Sequence, residues 1–265
     1  MNTLRLSAFT AFALASSFVA ADEKDGKPYP IGYTDTPLIS ADSKWKVHDI
    51  DRPRPDAVKP GDKPGAPPAD AIVLFDGKDV SKFVGKDGAE CPWKIENGEL
   101  LVAGGDIWTK ESYASCQFHI EWKSDPNTAG NSQKKGNSGI FFMDRYETQI
   151  LDCFNNPTYA DGMAGGVYGQ TPPLVNAVRP AGEWQVYDVI FTAPKLDNGK
   201  VVEPAYITTI INGIVVQNHT KILGPTHHKA ATNYDGTFPE KAPLRFQDHK
   251  NSIPDRFRNL WVRPL

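Results

Sequence analysis

The sequence predicts an all-β fold, an antiparallel sandwich or barrel, and three observations carry that prediction. Short runs of alternating apolar and polar residues recur at roughly 8- to 12-residue spacing, with turn residues between them. Asn-Gly pairs stand at 97–98 and 212–213, and this dipeptide accepts the positive φ that a two-residue hairpin turn needs at both central positions. No segment of about ten or more residues has the apolar period of an amphipathic helix.

The elements follow in chain order. Arg5 precedes an apolar stretch from Leu6 to Val19, and Val19-Ala20-Ala21 sets small residues where a signal peptidase reads. Residues 1–21 therefore read as a signal peptide, and the protein as exported, periplasmic or extracellular. The stretch is shorter than the roughly 20 apolar residues that span a bilayer, and no later segment is apolar enough for a membrane span. Residues 22–70 hold nine of the 22 prolines, which block helix and central strand. They read as an extended Pro-rich arm and linker. Tyr33, Leu38, Ile39, Trp45, Val47 and Ile50 are apolar anchors within it, so the arm is expected to lie along the domain surface without regular structure.

The folded domain is expected over 71–265. Ala71–Phe75 is a strand ended by Asp76-Gly77, and Trp93–Val102 is a hairpin turned at Asn97-Gly98. Cys116–Lys123 alternates, with Cys116, Phe118, Ile120 and Trp122 on one face. Ser138–Met143 and Tyr146–Leu151 are two further strands. In Glu183–Thr192, Gln185, Tyr187, Val189 and Phe191 share a face opposite Trp184, Val186, Asp188 and Ile190. Ala205–His219 is a second hairpin, and Phe257–Val262 closes the chain. The long stretch 152–182, rich in Gly, Asn, Pro and Tyr, reads as a functional loop.

Composition narrows the function. A net charge of −3 lacks the basic face of a nucleic-acid binder. Six Trp, nine Tyr and 13 Phe supply rings for a core and for stacking on sugars. Cys91, Cys116 and Cys153 allow at most one internal bridge, and the sequence does not choose the pair.

Chemistry points first to Tyr146–Asp152. Strand alternation sends Ile150 to the core and Glu147 and Gln149 to the opposite, open face, and Asp152 joins Glu147 only through a β-bulge. A retaining glycosidase needs two carboxyls about 5 Å apart, so that bulge is the condition for a Glu147–Asp152 pair. His249 titrates near neutral pH and suits proton transfer. His227-His228 reads as a solvated loop pair. Asp152 and Asp248, with Glu147 or His249, are candidate ligands for a divalent metal, although their spacing is not diagnostic.

The order of the motifs says more than any one of them. They are LFDGK at 74–78, Trp93 with Asn97-Gly98, GNSGIF at 136–141, YETQILD at 146–152, GVYGQTPP at 166–173, AGEW at 181–184, the Asn212-Gly213 turn, FQDHK at 246–250 and Phe257-Arg258-Asn259. Together these resemble the 3-keto-disaccharide hydrolase family over about Ala71 to Leu265. Two departures stand out. The family commonly has Gly where this chain has Lys250, and the stretch Ser252–Arg256 is longer than usual.

The resemblance implies a concanavalin-like (jelly-roll) β-sandwich with no required cofactor, acting on an oligosaccharide or glycoside oxidised at C3. A 3-keto group acidifies the C2 proton. A base removes it, the C1 oxygen leaves, and water adds to the enone. That scheme needs a base, a group to hold the enolate and a proton for the leaving oxygen. Glu147 and His249 are the acid and base candidates. Arg145, Gln149, Gln170 and Arg258 are candidate donors to the sugar, Tyr168 and Trp184 candidate stacking rings, and Glu183 and Asp248 further polar contacts. Two other readings use the same sandwich. A non-catalytic carbohydrate-binding module would show a flat aromatic strip, and a family-16-like endoglucanase would need an acid where Gln149 stands.

Overall fold

The computed structural model describes residues 33–55, 57, 59 and 61–265, and the backbone of 23–24 and 27–28. The signal-peptide segment 1–21 lies outside the described residues. Two compact units divide the chain, residues 1–57 and 58–265. In the first, β1 (Glu23–Lys24) pairs antiparallel with β2 (Lys27–Pro28). Tyr33 bridges Asp49, Leu38 bridges Lys46, and the Thr36 hydroxyl donates to Val47 O.

The second unit is a sandwich of two antiparallel sheets, with no α-helix among the described residues. Its strands are β3 (Ile72–Phe75), β4 (Phe83–Val84), β5 (Ile95–Glu96), β6 (Glu99–Leu101), β7 (Ile107–Tyr113), β8 (Cys116–Lys123), β9 (Asn137–Phe142), β10 (Tyr146–Leu151), β11 (Gln185–Thr192), β12 (Lys195–Asp197), β13 (Lys200–Glu203), β14 (Tyr206–Ile211), β15 (Ile214–Lys221), β16 (Ala242–Phe246) and β17 (Arg256–Pro264). The smaller sheet runs β10-β9-β16-β7-β4. The larger runs β15-β14-β11-β8-β17-β6-β5, with β3 also on β17. β12 and β13 form a separate ribbon.

The alternating faces fall as the pattern requires. Cys116, Phe118, Ile120 and Trp122 on β8, and Tyr187, Val189 and Phe191 on β11, are buried against the smaller sheet's inner face. Rings knit the two layers. Phe118 meets Phe142 at 5.8 Å and Phe246 at 6.0 Å, and Phe142 stacks on Phe191 at 4.9 Å. Both Asn-Gly turns take positive φ at both residues, 53° and 76° for 97–98 and 52° and 83° for 212–213. All three cysteines are free.

The stretch 61–70, which reads as linker, is part of the second unit. Gly65 O accepts from Asn259 Nδ2 at 2.8 Å and Trp261 Nε1 at 3.0 Å. Beneath it lies His119, on the outward side of β8 yet fully buried, stacked on Trp261 at 5.1 Å and bonded through Nδ1 to Asp188 at 2.7 Å. Burial alone would lower that imidazole; Asp188 and Glu121 outweigh it and raise it. The raised histidine, with Asn259 and Arg258, holds the Glu121 carboxyl down at about 2.

Phe246 touches rings from both sheets, namely Phe83, Phe118 and Phe257. Phe246→Ala is expected to destabilise the second unit by about 3–5 kcal/mol, read by urea unfolding; a loss under 1 kcal/mol would mean that the layers do not meet there.

Candidate functional site

The site forms at the β10 edge of the smaller sheet. β10 pairs with β9 without a register shift, from Tyr146 opposite Phe142 to Leu151 opposite Asn137. Asp152 N–H continues the ladder by donating to Gly136 O at 3.0 Å. No bulge turns Asp152 toward Glu147, so the paired-carboxylate arrangement does not form. Asp152 instead pairs with Lys135 at 3.1 Å.

The face of β10 expected to be open is covered, with Glu147 5% and Gln149 1% exposed, because the loops that carry Tyr159, Tyr168 and Thr226 wall the cleft over it. The Glu147 carboxyl crosses β9 at Gly139, where a Cβ would collide with Oε1 and stand 3.1 Å from Cδ. The glycine is thus a notch for the acid. Gln149 Nε2 donates to Gln133 Oε1 at 2.9 Å; swapping the amide would exchange that bond for donation to Ser138 O at 2.8 Å and Glu147 Oε1 at 3.2 Å. Burial pushes the Glu147 carboxyl up to about 8, with Arg245 pulling it down and Asp106 pushing it up. At neutral pH it keeps its proton.

Two segments extend the β10 edge. In the long loop, Gln149 N–H donates to Gly166 O at 3.1 Å and Tyr168 N–H to Glu147 O at 3.2 Å, which seats Tyr168 beside the acid. From the other side, Glu147 N–H donates to Thr226 Oγ1 at 2.9 Å, and Thr226 N–H to Arg145 O at 2.8 Å. That anchor carries His228 into place, where Nδ1 lies 3.0 Å from Tyr168 Oη.

β16 brings the remaining groups. Arg245 lies over the Phe141 ring at 3.4 Å and pairs with Asp106 at 2.9 Å and Asp144 at 2.6 Å. Gln247 is tied to β9 through Gly139 O and Ser138 Oγ. Asp248 receives the Gly104 and Gly105 N–H groups at 3.0 and 2.9 Å, and the Lys250 N–H at 2.8 Å. Lys250 has φ 59°, the left-handed region that favours glycine. The chain makes this turn with a lysine.

Glu147, Gln149, Phe141, Gln133, Asn137, Tyr159, Tyr168, Thr226, His228, Arg245, Gln247 and His249 line one cleft of about 360 Å³. His249 stands at its rim, open to solvent on one side and walled by protein on the other. Desolvation from that wall, helped by His228, holds its imidazole below the usual range against the opposing charges of Asp248 and Asp106. The cleft therefore holds a protonated acid and an unprotonated base at neutral pH.

Other sequence candidates stand elsewhere. Arg145 lies over Phe238 at 5.5 Å, not in the cleft. Arg258 pairs with Glu121 at 2.6 Å on the larger sheet. Trp184 lies beneath Lys123 and Arg258, 4.5 and 3.9 Å from its ring. Glu183 is an exposed turn residue bonded through N–H to Pro180 O. Gln170 clamps the backbone at Leu223 and Gly224. The Asp248 carboxylate is taken by backbone N–H groups. Among the described residues no cluster of three or more His, Cys, Asp or Glu side chains could hold a metal ion. Sequence reasoning missed Arg245, Tyr159 and His228; the repeated Tyr and His in the loops were the available signal.

Residues 70–263 match the model of the 3-keto-alpha-glucoside-1,2-lyase-like domain. A solved structure from Parabacteroides distasonis, provisionally described as a glycosyl hydrolase, is 41% identical over 89% of this chain and 100% of its own, with a TM-score of 0.78. Two more from that organism, with the same provisional description, are 21% and 19% identical over 74% of this chain and 94% and 99% of theirs, both with a TM-score of 0.52, and share the fold. No curated protein matches the chain.

Because the native state holds the Glu147 proton up to about pH 8 and the unfolded chain releases it near 4.5, stability falls as pH rises between those values. Urea unfolding should show Glu147→Gln gaining on wild type across that window, by up to about 1.4 kcal/mol per pH unit, and levelling above it. A gap that does not vary with pH would contradict the buried, protonated acid.

Proposed function

We infer the chemistry from a fixed premise: the chain belongs to the 3-keto-alpha-glucoside-1,2-lyase-like family. We propose that it is an exported carbohydrate-active enzyme that cleaves glycosides already oxidised at C3. The observation that carries this reading is the opposite displacement of two protonation equilibria in one cleft, Glu147 upward and His249 downward.

His249, as free imidazole, takes the C2 proton that the 3-keto group has acidified. The electron pair moves onto the ketone oxygen as an enolate, which the Arg245 guanidinium holds in a site partly shielded from water. The pair then returns to form the C1–C2 double bond while the C1–O bond breaks. Glu147 gives its proton to the departing oxygen. In the second half Glu147, now a carboxylate, takes a proton from the water that attacks C1, and the His249 imidazolium returns one to C2. The sum is hydrolysis, and both residues end as they began. Asp106 and Asp144 keep Arg245 oriented.

The test pairs a 3-keto glucoside with its unoxidised parent. Wild type is expected to turn over only the keto compound, and Glu147→Gln to lose about 10²–10⁴ of that rate. Equal turnover of the parent would sink the keto-specific reading. The pH profile tests the roles. The rate should climb to a plateau below the usual histidine range and fall above about 8 as Glu147 loses its proton; a rate that instead rises through 8 would make Glu147 the base.

A further inference from the structure

The chain that brings Arg245 along β16 goes on to carry His249, and it does so on an arch. It lies along β9 as far as Gln247, whose N–H donates to Gly139 O at 3.0 Å and whose O accepts from Ser138 Oγ at 2.7 Å. Asp248, His249 and Lys250 then leave the sheet, and the left-handed φ of Lys250 turns the chain back. It meets β9 again at Asn251. There a side-chain amide takes the place of a peptide group: Oδ1 accepts from Asn137 N–H at 3.0 Å, and Nδ2 donates to Asn137 O at 2.9 Å. The same Nδ2 donates to Asp255 Oδ2 at 3.1 Å.

We propose that Asn251 is a positioning residue for His249, and that Asp255 holds Asn251 in that role. The proposal rests on the function given above, in which His249 is the base, and adds the residues that fix where the base stands. An arch of three residues with both feet on one strand leaves its middle residue little freedom. Gln247 is the near foot and Asn251 the far one, while Asp248 braces the span through the Gly104 and Gly105 N–H groups. The far foot grips β9 through two bonds from one side chain, so a single substitution removes both. It is fastened to the cleft's own wall, because Asn137 lines the cleft. Asp255 is fully buried, and burial pushes its carboxyl up to about 8, with Ser124 and Asn251 pulling it down. At neutral pH it therefore offers Asn251 an acceptor without burying a charge. The long stretch Ser252–Arg256 is docked as well, since the Ala129 N–H donates to Ser252 Oγ at 2.8 Å. Precision here matters to rate: a misplacement of about 1 Å in a reacting group can cost about 10²-fold.

The experiment compares wild type with Asn251→Ala, Asp255→Ala and Asp255→Asn by two measurements, the titration of the His249 imidazole by NMR and the turnover of a 3-keto glucoside. Desolvation by the protein wall is the leading cause of the lowered His249 titration, and His228, Asp248 and Asp106 act on the ring as well. Freeing the far foot opens that wall to water, so Asn251→Ala should move the titration up toward the ordinary histidine range. In turnover kcat should fall about 10- to 100-fold with KM held within about twofold, and the acid limb of the pH–rate profile should move to higher pH. Asp255→Ala should act in the same direction, whereas Asp255→Asn keeps an acceptor for Asn251 Nδ2 and should restore both readouts. A His249 titration that Asn251→Ala leaves unmoved would overturn the clamp whatever the substrate. A moved titration with kcat unchanged would keep the clamp and remove His249 as the base. No turnover by wild type would sink the function given above and leave the titration to decide the clamp. Should Asn251→Ala not fold, wild type decides: the Asn137 N–H, bonded to Asn251 Oδ1, should exchange with solvent as slowly as the Gln247 N–H, and fast exchange would overturn the clamp.

Discussion

Glu147 occupies a strand position buried as deeply as the core residues beside it, and the free energy of keeping an acid there orders everything around it. An ionised carboxylate at 5% exposure without a full partner is expensive. The group responds by keeping its proton to about pH 8. The surroundings are consistent with a neutral acid. Gly139 gives it room, and the end of the Gln149 amide lies 3.2 Å from its Oε1. Arg245 is near enough to act on it electrostatically, yet its own charge is answered by Asp106 and Asp144. Had Arg245 been free to pair with Glu147, the acid would be an ordinary carboxylate with no proton to give.

The second half of the site is built on opposite terms. His249 follows β16, on a turn pinned by Asp248 to the N–H groups of Gly104 and Gly105. It stays at the rim, where a neutral imidazole needs no buried counter-charge. The strain of Lys250 at φ 59°, of the order of 1 kcal/mol, is accepted to hold that turn. Glu147 is thus deep and His249 at the edge of one cleft, so the two groups meet different surroundings and shift in opposite directions.

The fold was legible because local chemistry dictates it. The faces of β8 and β11 and both Asn-Gly turns follow from side-chain alternation and from positive φ. The strands missed were β1 and β2, in an arm expected to have no regular structure, and β4, β7, β12, β13 and β16. β7 reads IWTKESY, with a buried Thr109 whose hydroxyl donates to Glu111 O and accepts from the Leu244 N–H, and β16 carries Pro243, which weakens any strand reading. Missing β16 meant missing Arg245, whose entry to the cleft depends on its register opposite Phe141. His228 was hidden for a similar reason: it looks like a solvated loop residue until Thr226 is seen bonded to the β10 edge. In both of these the decisive contact joins residues far apart in sequence, which no local pattern carries.

The residues that looked functional but lie elsewhere argue about function in their own way. A binding module of this fold would need an open aromatic platform, and Trp184 was, with Tyr168, a stacking ring the sequence offered. Lys123 and Arg258 both stand over its ring, so a sugar would have to displace cations that already hold the face. Arg258 is in turn held by Glu121, whose depressed carboxyl answers to His119 beneath Gly65. Around Trp184, the charges and rings of the larger sheet's outer face thus pair among themselves. Tyr159, Tyr168 and His228 line the cleft beside the buried Glu147. Rings exposed beside a proton donor suit a substrate that is held in order to be changed, which favours an enzyme over a module.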